Sequence, residues 1–159
     1  MSDKNILLSF KSAAPFWSSI LFAISLWLSF MIQGWAILIV PIFTLLILPI
    51  VDQYVGLRTD NLDTSLKETQ LFWYRLITLI WAPIQFCTLF GILALTVFSD
   101  MTLAEKFGLF CAVGVLTGTI GINYAHELMH KPGKLERWLA DALLAMVLYS
   151  HFRSEHLLV

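Results

Sequence analysis

Long apolar runs alternate with short polar breaks along most of this chain. Four runs are long enough to cross a membrane, because a helix needs about twenty apolar residues at 1.5 Å each to span about 30 Å of hydrocarbon. The predicted spans are residues 13–32, 35–51, 76–98 and 107–124. The breaks are a turn at Gln33-Gly34, a polar connector from Asp52 to Arg75, and a short turn in which Ser99 or Thr102 is expected to cap the next helix.

A fifth apolar run, residues 138–150, is too short to cross a bilayer and is expected to re-enter the membrane or to lie as a buried helix. Overall, 58% of the residues are hydrophobic and 13% are charged, which is more apolar surface than a soluble core of this size can bury. The sequence therefore predicts an all-α polytopic membrane protein. We expect four transmembrane helices and one short helix in a single domain, residues 1–159.

The distribution of positive charge predicts the orientation. If the four spans alternate in direction, nine of the ten lysines and arginines lie on one side, and only Lys106 lies on the other. The nine are Lys4, Lys11, Arg58, Lys67, Arg75, Lys131, Lys134, Arg137 and Arg153. The positive-inside rule assigns their side to the cytoplasm, and all four histidines fall there too.

Small residues inside the spans suggest packing roles. Cys87 and Cys111 have no partner at a metal-binding spacing and are interpreted as small buried apolar residues. Gly114 and Gly118 are four residues apart, which predicts that another helix approaches closely at this point.

All four histidines lie in the last quarter of the chain. His126 and His130 are four residues apart, so that both project from one face of a helix, and His151 and His156 follow the short helix. His-Glu-x-x-His also occurs in zinc proteases, where the glutamate acts as general base. A site built mainly of imidazoles, without cysteine, instead suits iron that changes oxidation state and binds O₂.

These residues carry a resemblance to a known family. Asn123-x-x-His126-Glu127-Leu128-x-His130-Lys131, followed by His151-Phe152-x-x-Glu155-His156, resembles the first histidine box and the start of the second box of membrane-bound non-haem di-iron alkane monooxygenases. Pro49-Ile50-Val51-Asp52-x-x-x-Gly56 is similar to the family's segment at the end of the second helix.

The resemblance implies an activity, its cofactors and its partners. Two iron ions and O₂ would hydroxylate the terminal methyl group of medium- or long-chain n-alkanes in the bacterial inner membrane. The electrons would come from a rubredoxin, which rubredoxin reductase reduces in turn. Lys131, Lys134, Arg137 and Arg153 form a basic rim that would dock such an acidic protein.

The same resemblance implies roles for individual residues. His126, His130 and His156 match metal ligands. The neighbouring polar residues are expected to orient the imidazole N–H groups of these ligands or to support the site in other ways. They are Asn123, Glu127, His151 and Glu155.

The chain lacks several of the histidines that are typical of the family. The second box of the family continues with a His-His pair and a third box supplies more histidines, whereas this chain contains four histidines in all. We therefore expect an N-terminal fragment that is inactive by itself. Two alternatives stay open: another histidine-box oxygenase or fatty acyl desaturase or hydroxylase, and an intramembrane zinc protease.

Overall fold

The computed structural model describes residue 10, residues 12–55 and residues 71–158, and this part of the chain contains helices and no strand. The helices are α1 (Ser12–Ile32), α2 (Gly34–Val55), α3 (Phe72–Val97), α4 (Leu103–Met129), α5 (Lys134–Met146) and α6 (Phe152–Leu158). The first four are long and apolar enough to cross a membrane. The all-α prediction with four candidate spans is confirmed. Lys4, Lys11, Gly56, Arg58 and Lys67 lie outside the described residues.

The turns at one end of the bundle are joined by a shared carboxylate. Gln33 and Gly34 have φ values of 62° and 57°, a left-handed conformation that lets α2 fold back along α1. Thr102 caps α4 in a reciprocal capping box with Glu105, which confirms one of the two predicted caps. Glu105 also accepts a hydrogen bond from the Gly34 N–H at 2.9 Å, so that the two turns are held side by side.

Aromatic residues tie the helices together at the opposite end. The Trp17 indole donates a hydrogen bond to the Trp73 carbonyl at 3.1 Å, which connects α1 to α3. The Tyr124 hydroxyl donates to the Phe16 carbonyl at 2.7 Å and lies 3.0 Å from the Ser19 hydroxyl. These contacts fix the C-terminal part of α4 against α1.

Two predictions about small residues are wrong. Cys87 and Cys111 are exposed rather than buried, because the outer face of a membrane helix is apolar as well as its inner face. At Gly114 and Gly118, an added Cβ would have no atom within 4 Å, so no helix of the described part packs closely there. Both glycines line an open groove instead.

The short helix α5 lies against the end of α4 and the start of α3. Ala140, Leu143 and Leu144 form its buried face, while Leu135 and Trp138 are exposed. This amphipathic pattern suits a helix that packs on the bundle at one end rather than crossing the membrane.

An ion pair holds the first turn of α5 against α3. Glu136 is only 4% exposed, and it accepts a hydrogen bond from the Arg75 guanidinium. A hydrogen bond to its own backbone N–H and the Arg75 pair keep the pKa of Glu136 below its usual value. Gly133 leaves the space for this carboxylate, because a Cβ there would lie 1.9 Å from Glu136 Oε2.

We expect Glu136→Gln to destabilise the protein by about 1–3 kcal/mol, because Arg75 would lose its buried carboxylate partner. The measurement is reversible unfolding of the purified chain in detergent. Lys134→Gln is the matched control, since Lys134 begins the same helix and has no ion-pair partner among the described residues. Equal effects of the two substitutions would contradict the assignment.

The stability difference between the unmodified chain and Glu136→Gln should also depend on pH. The folded-state pKa of Glu136 is lowered, so its contribution is present above the ordinary value of 4.5 and is lost as the pH falls through the folded-state value. We expect a constant difference above about pH 6 and a shrinking one in acid. A difference that grows in acid would refute the ion pair as its cause.

Candidate metal centre

Three of the four histidines bring their ring nitrogens together at the aromatic end of the bundle. His126 lies on the last turn of α4, His130 is the C-cap residue that follows this helix, and His156 lies on α6. The His126 and His156 Nε2 atoms are 2.9 Å apart, and the His130 Nε2 atom is 3.3 Å from each of them. We call these residues the three-histidine cluster.

Hydrogen bonding among the three rings cannot account for this arrangement. The Nε2 atom of a neutral imidazole is either a donor or an acceptor, not both. Among three Nε2 atoms in mutual contact, at least two must therefore both be donors or both be acceptors. Such a pair repels, because two N–H groups or two lone pairs face each other. A cation bound at the centre removes this conflict, because all three nitrogens can then act as electron-pair donors.

The separations also fit a metal ion. With metal–nitrogen bonds of about 2.1 Å, nitrogens 2.9 and 3.3 Å apart subtend angles of about 87° and 104° at the metal. Three ligands at such angles occupy one side of the ion and leave other positions open. The residues therefore fit a divalent transition metal that has further ligands or a reacting molecule on its other side.

Residues near α6 hold His156 in this position. The Phe152 ring stacks on the His156 ring, with centroids 5.3 Å apart and planes inclined by 17°. Phe152 also stacks on Tyr149, and Arg153 forms an ion pair with Asp141 of α5. The histidine pattern does not point to Phe152, Asp141 or Tyr149, although the spacing of Phe152 and His156 by four residues places their rings on one face of a helix.

The four predicted supporting residues lie near the cluster but contact other groups. The Asn123 amide donates to the Thr119 carbonyl at 2.8 Å, and Glu127 forms an ion pair with Lys131. The His151 ring stands edge-on to Tyr149, with centroids 4.7 Å apart. Glu155 is exposed. Their role in orienting the ligands stays a prediction.

An apolar groove of about 560 Å³ runs between α3 and α4 toward this end of the bundle. Its lining includes Leu89, Leu93, Phe110, Gly118 and Ile122. The groove ends at Tyr149, whose ring stacks on Phe152 beside the cluster. The groove thus gives an apolar surface that leads from the middle of the helices to the neighbourhood of His156.

Comparison with known proteins identifies relatives. The chain is 33% identical over 112 residues to alkane 1-monooxygenase 1 of Pseudomonas aeruginosa, covering 68% of this chain and 29% of that protein. It is 31% identical over 135 residues to alkane 1-monooxygenase 2 of the same organism, covering 78% and 34%. Alkane 1-monooxygenase 2 of Alcanivorax borkumensis is 29% identical over 113 residues, covering 69% and 30%.

The chain is related to the alkane 1-monooxygenases. It spans about three tenths of the length of these relatives. No protein-family profile and no solved structure matches it. Its resemblance to this family, predicted from the histidine pattern, is confirmed by relatives that match over about 70% of the chain.

We expect the purified 159-residue chain to bind about one Co²⁺ ion, used as a spectroscopic probe of the three-histidine cluster. Alanine at His126, His130 or His156 removes one of three ligands and should lower the affinity at least tenfold. Absorbance titration in detergent measures both quantities.

His151→Ala is the matched control for this titration. His151 follows the same short helix but contacts Tyr149 and not the cluster, so the Co²⁺ affinity should stay unchanged. An affinity that depends on His151 and not on His156 would refute the assigned cluster.

Proposed function

We propose that the whole protein is an alkane 1-monooxygenase that hydroxylates the terminal methyl group of medium- or long-chain n-alkanes, and that the three-histidine cluster holds one of its two irons. One observation carries this proposal: three imidazole nitrogens converge at metal-binding separations in a chain related to enzymes of this name.

The proposed reaction consumes one alkane, one O₂, two electrons and two protons. One oxygen atom enters the terminal C–H bond to form the primary alcohol, and the other leaves as water. Iron bound at the cluster would supply the activation of O₂. The role of this chain would be to hold that iron through His126, His130 and His156.

Two irons held mainly by histidines would need more imidazoles than the four that this chain contains. Of its four histidines, three form the cluster and His151 lies against Tyr149. We infer that the second iron requires ligands outside these 159 residues, and that the chain alone does not turn over alkane.

An alkane has no polar group, so an enzyme must select it by shape and must exclude water from its path. The groove between α3 and α4 supports this requirement, because its lining is almost entirely apolar and it ends beside Phe152 and His156. Because the groove lies along helices long and apolar enough to cross a membrane, we infer that an alkane would enter it from the lipid.

The charges at the two ends of the bundle support a cytoplasmic cluster in a bacterial inner membrane. Of the described lysines and arginines, only Lys106 lies at the capped turn end. The others, Arg75, Lys131, Lys134, Arg137 and Arg153, lie at the end that carries the histidines. The positive-inside rule makes this end cytoplasmic, where a soluble rubredoxin has access to it.

Docking of an acidic rubredoxin would depend most on Lys134. Lys131 and Arg153 already pair with Glu127 and Asp141, and Arg137 donates to the carbonyls of Lys131 and Pro132. Among the described residues, Lys134 is the cation of this rim without such a partner. Its charge is therefore available to a partner protein.

We expect Lys134→Glu to raise the KM of the whole enzyme for rubredoxin about fivefold or more, with little change in kcat, because a charge at the rim mainly affects association. Lys106→Glu at the opposite end is the control and should leave KM unchanged. Rubredoxin-dependent turnover measured at low salt tests this. Equal KM values for both variants would remove Lys134 from the docking surface.

We expect the whole protein to convert an n-alkane to its 1-alkanol, and His126→Ala or His130→Ala to abolish this, because either substitution removes a proposed iron ligand. Gas chromatography of the products, with iron analysis of the purified protein, measures the outcome. Full activity of either variant, or turnover by the 159-residue chain alone, would contradict the proposal.

The product also separates the alternatives. A fatty acyl desaturase or hydroxylase would modify an acyl lipid, and a zinc protease would cleave peptides with Glu127 as its base. The pairing of Glu127 with Lys131 and the names of the relatives favour the alkane 1-monooxygenase.

A further inference from the structure

Helix α4 contains one wide turn directly before its histidine-bearing segment. The helix is regular from Leu103 to Leu116 and again from Ile122 to Met129, and between them Thr117–Gly121 forms a π-helical turn. Such turns are rare, have less favourable hydrogen-bond geometry than the α-helix, and frequently occur at functional sites.

The burial pattern shows what the wide turn does. Before it, the buried positions are Leu109, Ala112, Val113 and Leu116. After it, the same spacing recurs at Gly121, Tyr124, Ala125 and Leu128. Each position is displaced by twelve residues (121 − 109), whereas three turns of α-helix contain about eleven. The wide turn therefore absorbs one extra residue.

If α4 were a regular α-helix through this segment, the side chains of His126 and His130 would project in a different direction. A continuous α-helix over the same sequence would rotate the segment after Gly121 by about 90–100°. Ala125 and Met129 would then occupy the positions that His126 and His130 hold now. Two apolar residues would face His156, and the cluster would be lost.

A contact with α3 fixes the wide turn at Gly121. Gln85 is fully buried and lies directly on this glycine, where an added Cβ would be 2.1 Å from Gln85 Oε1. The Trp81 indole donates to Oε1 at 2.9 Å, which sets the orientation of the amide, while Nε2 has no partner among the described residues. A buried amide nitrogen without a partner costs free energy that an apolar side chain at this position would avoid.

We propose that the wide turn of α4 aims His126 and His130 at His156, and that Gln85 and Gly121 are the positioning residues that maintain it. The inference rests on the proposed function in one respect: the orientation of His126 and His130 has a role only if the three-histidine cluster binds a metal. It concerns only the residues of this chain and is tested without enzyme turnover.

Deleting and adding a residue in the wide turn should have opposite outcomes. Gly118 is suitable for deletion because a Cβ there would have no neighbouring atom within 4 Å. Its deletion should convert the wide turn into regular α-helix, while the buried faces of α4 before and after the turn keep their relative orientation. The Co²⁺ affinity of the 159-residue chain should then stay within about threefold of the unmodified value. Insertion of one alanine after Gly118 rotates the histidines away and should lower it at least tenfold.

The contact with α3 is tested by a pair of variants. Gly121→Ala places a methyl group against Gln85 and should lower the Co²⁺ affinity at least fivefold, and Gln85→Ala/Gly121→Ala should recover it to within about threefold of Gln85→Ala alone. A residue that merely contributes stability would change the thermal unfolding midpoint without this recovery of affinity.

The outcomes separate the two proposals. Failure of the unmodified chain to bind Co²⁺ would refute the metal site and the inference with it. Binding by the unmodified chain, together with lost helicity or affinity after deletion of Gly118, would overturn only the role of the wide turn. Equal effects of deletion and insertion, or no effect of Gly121→Ala, would overturn it as well.

Discussion

The candidate site depends on one geometric constraint: three imidazole nitrogens on two helices must meet within a few tenths of an ångström. Two of them, from His126 and His130, are set by the spacing on α4, but the third arrives from α6, 26 residues after His130. A metal–nitrogen bond tolerates little displacement, whereas a tilt of about 10° over the 13-residue helix α5 would move its far end by about 3 Å. The contacts that hold α5 and α6 therefore matter as much as the ligands.

Charges provide several of these contacts, and they lie at the end of the bundle where the membrane does not penalise them. Glu136 joins the start of α5 to Arg75 of α3, and Asp141 joins the middle of α5 to Arg153 of α6. Within the spans, apolar packing is joined by a few polar contacts between helices. The Trp27 indole of α1 donates a hydrogen bond to the Thr88 hydroxyl of α3 at 3.2 Å, and the Gln85 amide of α3 lies on Gly121 of α4.

Local sequence patterns predicted a large part of this protein. Hydropathy gave the four spans because each needs only its own length of apolar residues, and the Thr102 cap followed from local chemistry. The predictions for Cys87, Cys111, Gly114 and Gly118 failed for a common reason. A membrane helix is apolar on every side, so that its sequence does not reveal which face meets protein and which meets lipid.

The sequence by itself determined an all-helical membrane chain, a histidine pair on one helix face and a resemblance to the alkane monooxygenases. The resemblance already pointed to His156 as a third ligand, whereas the tertiary structure alone shows that its Nε2 atom lies within 3.3 Å of those of the pair and that the His151 ring lies against Tyr149. The tertiary structure also decided the wide turn at Thr117–Gly121, on which the direction of the pair depends. The physical reason is that hydropathy and helical spacing act within one segment. The convergence of ligands and the winding of α4 instead depend on contacts between helices that are distant in sequence.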